Sequence, residues 1–350
     1  NSVTKSRQRK IAVLKPQKTL TSKKHWEVIF MSIERRKVVI IGAGHVGSHV
    51  GFSLVTQGVC EEVVYIDVDN DKAIAQAEDT MDATVYCPHH VDVKVGDFSD
   101  LDDADIAVIS AGPLPDLSKG EDRVDAMGKA INCMGSIIEG IKNSKFDGII
   151  INITNPADVI ARYIQYNTGY PEEKVISTST TLDSARLRKM LAKELNIDQK
   201  SIYAYALGEH GESQMVPWSC ASVFGKPLLK LMEEYPDTYG KLDLEKIAAD
   251  ARYGGWLVFK GKGSTEFGIA ASCVEIIKTI FSDEKKVCTV AVMLHGEFGQ
   301  KDVYASVPAI IGRNGVEGII ELEMNDKELK LFAQSCENMR TNFEKALTMK

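Results

Sequence analysis

Residues 37–47 read Lys-Val-Val-Ile-Ile-Gly-Ala-Gly-His-Val-Gly, and no other stretch of the chain constrains the fold as strongly. The apolar run over Lys37–Gly42 implies a strand buried on both faces. The glycines imply a tight turn into a helix over Val46–Gly58. The same rhythm then repeats. Strands over Glu62–Asp67, Val91–Gly96, Asp105–Ala111 and Gly148–Ile153 alternate with helices over Asp69–Tyr86 and Arg123–Ser144. Parallel strands need crossovers, and these helices supply them, so the first half is expected to form an α/β doubly wound parallel sheet.

After about residue 155 the pattern changes. Helices dominate 155–195, strands fall near 202–207, 218–224, 286–294 and 302–321, and a polar helix spans 326–347. This predicts a mixed α+β C-terminal substrate domain. The expected division is a disordered extension over 1–30, a nucleotide-binding domain over 31–177 and a catalytic domain over 178–350.

Charge excludes several partner classes. The chain carries a net charge of −7, yet residues 1–30 hold eight Lys/Arg and a single acid, Glu27. The rest of the chain is therefore strongly acidic, which disfavours nucleic acid and anionic lipid as partners. No apolar run approaches the roughly 18 residues of a membrane helix. The seven cysteines include no C-x-x-C pair. Reduced thiols, a cytoplasmic location and no metal are expected. The basic extension lacks the apolar stretch of a secretory signal, and Met31 is a candidate natural start.

Gly42-Ala43-Gly44-His45-Val46-Gly47 has the form G-x-G-x-x-G, following a strand and opening a helix. Gly42 allows the tight turn, Gly44 lets the backbone approach a pyrophosphate, and Gly47 lets the helix pack closely on the sheet. The helix N-terminus offers the N–H groups of His45 and Val46 to phosphate. Asp67 ends the second strand, 20 residues after Gly47. A carboxylate there accepts ribose hydroxyls and repels a 2′-phosphate, which points to NAD. A competing reading makes Asp67 only a cap for the next helix.

A hydride cofactor needs a proton donor beside it, and imidazole titrates near neutrality. His210 lies in the turn-prone Gly208-Glu209-His210-Gly211-Glu212-Ser213. Together with GAGHVG, this segment belongs to a series of motifs. The series continues with Ser110-Ala111-Gly112 ahead of Gly120-Glu121-Asp122-Arg123, then Thr154-Asn155-Pro156-Ala157-Asp158, then Leu182-Asp183-Ser184-Ala185-Arg186. Over about 37–348 the chain thereby resembles the lactate/malate dehydrogenase superfamily, in its L-lactate and L-2-hydroxyisocaproate dehydrogenase branch.

The resemblance implies a Rossmann-type NAD domain and reversible reduction of a 2-oxo acid to the L-2-hydroxy acid. It implies His210 as proton donor, Asp183 as its orienting carboxylate, and Arg186 as the clamp on the substrate carboxylate. Arg123 would polarise the carbonyl from a mobile loop, Asn155 would donate an amide to substrate and cofactor, and Thr265 would line the substrate pocket. Ala111 and Gly112 would lie along the cofactor. It further implies a homodimer or homotetramer.

The loop Gly112–Gly120 reads GPLPDLSKG and has no Arg for a second carboxylate, so malate is disfavoured. Its leucines and prolines suit an apolar pocket for pyruvate or a branched-chain acid such as 2-oxoisocaproate. Ser177 and Ser179 depart from the pattern, standing where relatives often carry glycines. Malate dehydrogenase and a catalytically silent NAD-binding protein are the alternatives.

Overall fold

The computed structural model describes residues 10–16, 26–32, 35–112 and 123–349, with side chains from Arg35 to Gly112 and from Ala126 to Met349. Near the N-terminus, β1 (Lys10–Pro16) and β2 (Trp26–Ser32) pair antiparallel, with Lys10 opposite Ser32. The extension expected to be disordered is thus paired wherever it is described. Each strand holds a run of four apolar residues, Ile11–Leu14 and Val28–Met31, rich in strand formers. The strand β2 also runs across the expected boundary at residue 30.

The main body begins with β3 (Lys37–Ile41), α1 (His45–Gln57), β4 (Glu62–Ile66), α2 (Asn70–Thr84) and β5 (Asp92–Val95). It continues through β6 (Ile106–Ile109), α3 (Arg123–Asn143), β7 (Ile149–Asn152), α4 (Ala157–Thr168) and β8 (Val175–Ser177). Next come α5 (Thr181–Leu195), β9 (Ile202–Tyr203), β10 (Ser222–Val223) and β11 (Lys226–Pro227). Helices α6 (Leu228–Glu234), α7 (Leu244–Lys262) and α8 (Phe267–Phe281) follow. The chain ends with β12 (Lys286–His295), β13 (Lys301–Gly312), β14 (Gly315–Ile319) and α9 (Asp326–Thr348).

The large sheet has the order β14-β13-β12-β8-β7-β6-β3-β4-β5. The strands β3 to β8 are parallel, as in a Rossmann-type fold, and β12 to β14 add antiparallel. The C-terminal half contributes one small separate sheet, β11-β10-β9. The main strands of that half extend the parallel sheet past residue 177, through Ala291 opposite Ser177. The physical reason lies in β12, where seven consecutive residues from Cys288 are buried. A strand apolar on both faces needs cover on both faces, and pairing with β8 also removes an exposed edge.

In β3, Val38 and Ile40 enter one core while Val39 and Ile41 enter the other, so this one strand ties both layers together. A third core gathers Leu187, Leu191 and Leu195 of α5 with Ile247 and Ala251 of α7. Strand β3 sits between β4 and β6, where the sheet order reverses. A crevice at such a reversal is where open α/β sheets bind ligands.

Three expectations change. The strand expected over 302–321 is two strands, turned at Arg313-Asn314. That expected over 218–224 is a short helical turn, Trp218–Cys220, followed by β10, because Pro217 has no N–H to give a ladder. Of 202–207 only β9 is regular strand. Beyond it, side chains replace the ladder: the Ala206 N–H donates to Ser184 Oγ at 3.0 Å and its carbonyl accepts from Thr180 Oγ1 at 2.6 Å. Helices α6 to α8 fill a stretch where periodicity named no element; α8 is apolar nearly all round, so it lacks a polar face to reveal it.

Candidate active site

The glycine turn after β3 behaves as its sequence requires. Gly42 has φ +105°, and a Cβ there would lie 2.4 Å from the Ser110 carbonyl oxygen. A Cβ on Gly47 would meet the Gly42 carbonyl oxygen at 1.9 Å. Gly44 differs: a Cβ there would find nothing nearer than the Lys72 ammonium at 3.9 Å. The space above Gly44 is open, as a closely approaching pyrophosphate demands. His45 and Val46 begin α1, whose first N–H groups face this space.

Asp67 does not cap α2. The neighbouring Asp69 does, accepting from the Lys72 N–H at 3.1 Å. Asp67 instead accepts the N–H of Ala43 at 2.7 Å and that of Asp69 at 3.0 Å, so its carboxylate is held against the glycine turn. A carboxylate oxygen can accept more than one hydrogen bond, which leaves capacity for ribose hydroxyls. These residues fit NAD. Ala111 and Gly112 follow β6 on the other side of the crevice, where the Ala111 carbonyl accepts from Thr154 Oγ1 at 3.0 Å.

Across the crevice, α5 and the loop after β9 bring three charged groups together. The His210 ring Nδ1–H donates to Asp183 Oδ2 at 2.5 Å. The other oxygen, Asp183 Oδ1, accepts from Arg186 Nη1 at 2.8 Å, one helical turn along α5. Asp183 is 1% exposed, whereas 28% of the His210 side chain is exposed. The carboxylate is therefore sealed while the imidazole reaches solvent. Burial pushes the Asp183 carboxyl up, but His210 and Arg186 outweigh it and hold it below the usual carboxylate range. Burial pushes His210 down, yet Asp183 foremost, with Asp158 beside it, raises it above the ordinary imidazole value. Engagement of Nδ1 leaves Nε2 as the ring nitrogen available to a substrate.

The loop carrying His210 is pinned at successive amides. Gly208 N–H donates to the Ser306 carbonyl of β13 at 3.0 Å, and Glu209 N–H to Ser335 Oγ of α9 at 2.8 Å. His210 N–H donates to Asp158 Oδ2 of α4 at 2.7 Å.

The remaining sequence candidates fall as follows. Asn155 is exposed between β7 and α4, preceding a cis proline. Thr265 is half-buried between Ser264 and Glu266, both buried. His45 Nδ1 lies 3.2 Å from Glu266 Oε1, so the cofactor turn touches the Thr265 segment. The loop 113–122 and the side chain of Arg123 lie outside the described residues.

Sequence reasoning missed two features. One is Asp158, whose acid in the first turn of a helix reads as an ordinary surface charge. The other is the pair Gly254-Gly255 inside α7, where a Cβ on either would stand 3.3 Å from the Arg186 side chain. Two adjacent glycines in a helical stretch were the available signal, since glycine there needs a packing or functional reason.

Comparison with known proteins gives the family of the chain. Residues 36–177 match the family described as lactate/malate dehydrogenase, NAD binding domain, and 180–350 match the lactate/malate dehydrogenase alpha/beta C-terminal domain. L-lactate dehydrogenase 3 of Bacillus cereus is 40% identical over 310 residues, covering 89% of this chain and 98% of that protein. The L-lactate dehydrogenase of Fusobacterium nucleatum is 38% identical, covering 89% and 97%. Among solved structures, the minor L-lactate dehydrogenase of Enterococcus mundtii in its ligand-bound form superposes with a TM-score of 0.86 at 32% identity, covering 89% of this chain and 99% of that one. The lactate dehydrogenase of Cryptosporidium parvum, complexed with lactic acid and nicotinamide adenine dinucleotide, gives 0.82 at 27% identity, covering 90% and 98%. This chain belongs to the lactate/malate dehydrogenase family.

Proposed function

We propose that this chain is an NAD-dependent L-2-hydroxyacid dehydrogenase of the L-lactate type, reversibly reducing a 2-oxo acid. One observation carries the reading: a single buried carboxylate, Asp183, holds both the His210 imidazole and the Arg186 guanidinium. When bound, the nicotinamide supplies or accepts the hydride at C2 of the substrate. Arg186 keeps donors beyond the one given to Asp183, and a guanidinium fork matches a substrate carboxylate in geometry and charge. Protonated His210 then gives its Nε2 proton to the oxygen at C2, and Asp183 stabilises the charged ring before transfer. In the reverse direction neutral His210 accepts that proton.

The acid is proposed to be monocarboxylic, either pyruvate or a branched-chain acid. The relatives named L-lactate dehydrogenase support pyruvate. The leucines and prolines of the Gly112–Gly120 sequence support a branched-chain acid. An extra buried methylene changes discrimination by only about 10–200-fold, so a broad preference follows. The test is NADH absorbance with pyruvate, 2-oxoisocaproate, phenylpyruvate and oxaloacetate. The proposal expects turnover of the monocarboxylic acids and far lower efficiency with oxaloacetate. Best activity on oxaloacetate would make it a malate dehydrogenase, and NADH binding without turnover a silent relative.

A further inference from the structure

We propose that Asp158, held by the Ser179 hydroxyl, is a positioning residue that sets both the place and the charge environment of His210. This rests on the assignment of His210 above. Asp158 occupies the first turn of α4 and is 3% exposed. Its two oxygens are committed to two separate segments. Oδ2 accepts the backbone N–H of His210 at 2.7 Å, and Oδ1 accepts the Ser179 hydroxyl at 2.5 Å.

Ser179 itself is unusual. It lies in the turn between β8 and α5, 2% exposed, with φ +40°. That backbone region favours glycine, because a Cβ crowds its own carbonyl there. Glycine would suit the turn better, yet serine occupies it and its hydroxyl ends on Asp158. The same turn leads in four residues to Asp183. Asp158 therefore ties the segment delivering Asp183 to the amide of the residue that Asp183 orients. Moving either attachment changes the approach of the imidazole to its partner.

Asp158 also contributes charge. Among the described residues, the charged groups acting on the His210 ring are Asp183 and Arg186 from α5 and Asp158 from α4, with Glu209 next to it on its own loop. Asp183 has two cationic partners and stays ionised. Asp158 has only neutral donors, and burial pushes its carboxyl up to about 6 despite the bonds from Ser179 and His210. Removing the Ser179 hydroxyl makes the charged form of Asp158 harder to keep. A less negative Asp158 makes the imidazolium harder to keep in turn.

The test compares wild type with Asp158→Asn, Ser179→Gly and the double variant. The readouts are the pH profile of kcat/KM for 2-oxo acid reduction and the His210 ring titration followed by NMR. Reduction needs the protonated ring, so its rate falls as pH rises through the His210 pKa. In Asp158→Asn that midpoint is expected to move down by about half to one pH unit, the direction set by loss of a nearby negative charge. Ser179→Gly should move it the same way by less, with thermal stability kept because the turn prefers glycine. The double variant should move it no further than Asp158→Asn, since both act through one carboxylate.

A midpoint unmoved in Asp158→Asn, even with a lower rate, would overturn the proposal by reducing Asp158 to a packing role. Additive shifts in the double variant would also overturn it. If Asp158→Asn does not fold, Ser179→Gly decides alone: a downward shift supports the proposal and an unmoved midpoint overturns it. The NMR titration needs no turnover, so it separates failure of this inference from failure of the assigned activity.

Discussion

Between Gly42 and Gly47 the molecule presents bare backbone to the crevice, whereas around Asp183 it presents buried charge. The turn after β3 depends on absent side chains, with one carboxylate, Asp67, braced against it by two amides. The cluster across the crevice depends on four ionisable residues from three elements, arranged so that one carboxylate is sealed and one imidazole is accessible. The first needs only close approach and the field of a helix end. The second, in the proposed reaction, moves a proton, and that calls for groups whose charge states are set by their neighbours.

Substitutions separate the two regions. The largest effect belongs to His210→Asn, which should lower kcat by about 10²–10⁴-fold, the usual contribution of a general acid, while NADH affinity measured by fluorescence stays close to wild type. Retention of near-normal turnover would break the distinction. Next comes Arg186→Lys. Replacing a fork by a point charge should cost about 1.5–3 kcal/mol, hence about 10–200-fold in kcat/KM for the 2-oxo acid, again with NADH binding preserved.

On the cofactor side the pattern reverses. Gly44→Ala should leave the melting temperature nearly unchanged, because its Cβ enters open space, yet weaken NADH binding about tenfold by displacing the pyrophosphate. Gly47→Ala is the contrasting control: its Cβ would collide with the Gly42 carbonyl, and overpacking of this kind costs about 1–3 kcal/mol of stability. The smallest effect is expected from Asp67→Asn. It should weaken NADH binding a few-fold and narrow the preference over NADPH, as read from the ratio of the two kcat/KM values. An unchanged ratio would remove Asp67 from cofactor choice.

The same contrast explains what the sequence could disclose. The glycine turn and Asp67 lie within 26 residues, so local spacing makes both visible, although the spacing alone leaves Asp67 open to a helix-cap reading. His210, Asp183 and Arg186 are legible through the resemblance of their motifs. The bond between His210 and Asp183 is not, because it joins α5 to a loop across 27 residues, whereas Arg186 lies only one helical turn from Asp183. Asp158 and Ser179 are invisible as a pair: they sit 21 residues apart and meet only after β8 brings the turn beside α4. Ser179 registers in the sequence only as a departure from glycine, with no partner to explain it. The attachment of β12 to β8 is hidden for a related reason, since a strand buried on both faces carries no mark of which edge it will cover.

Catalysis as proposed depends on Asp183 keeping His210 protonated and aimed at the substrate. The most direct measurement is kcat/KM for pyruvate reduction by NADH over about pH 5 to 9, spanning the ordinary imidazole value near 6.5, in wild type and Asp183→Asn. The expected result is a wild-type rate that falls with rising pH through a midpoint above that ordinary value, and a variant that is slower and falls at lower pH. A wild-type midpoint at or below the ordinary value, or one that Asp183→Asn leaves in place, would contradict it.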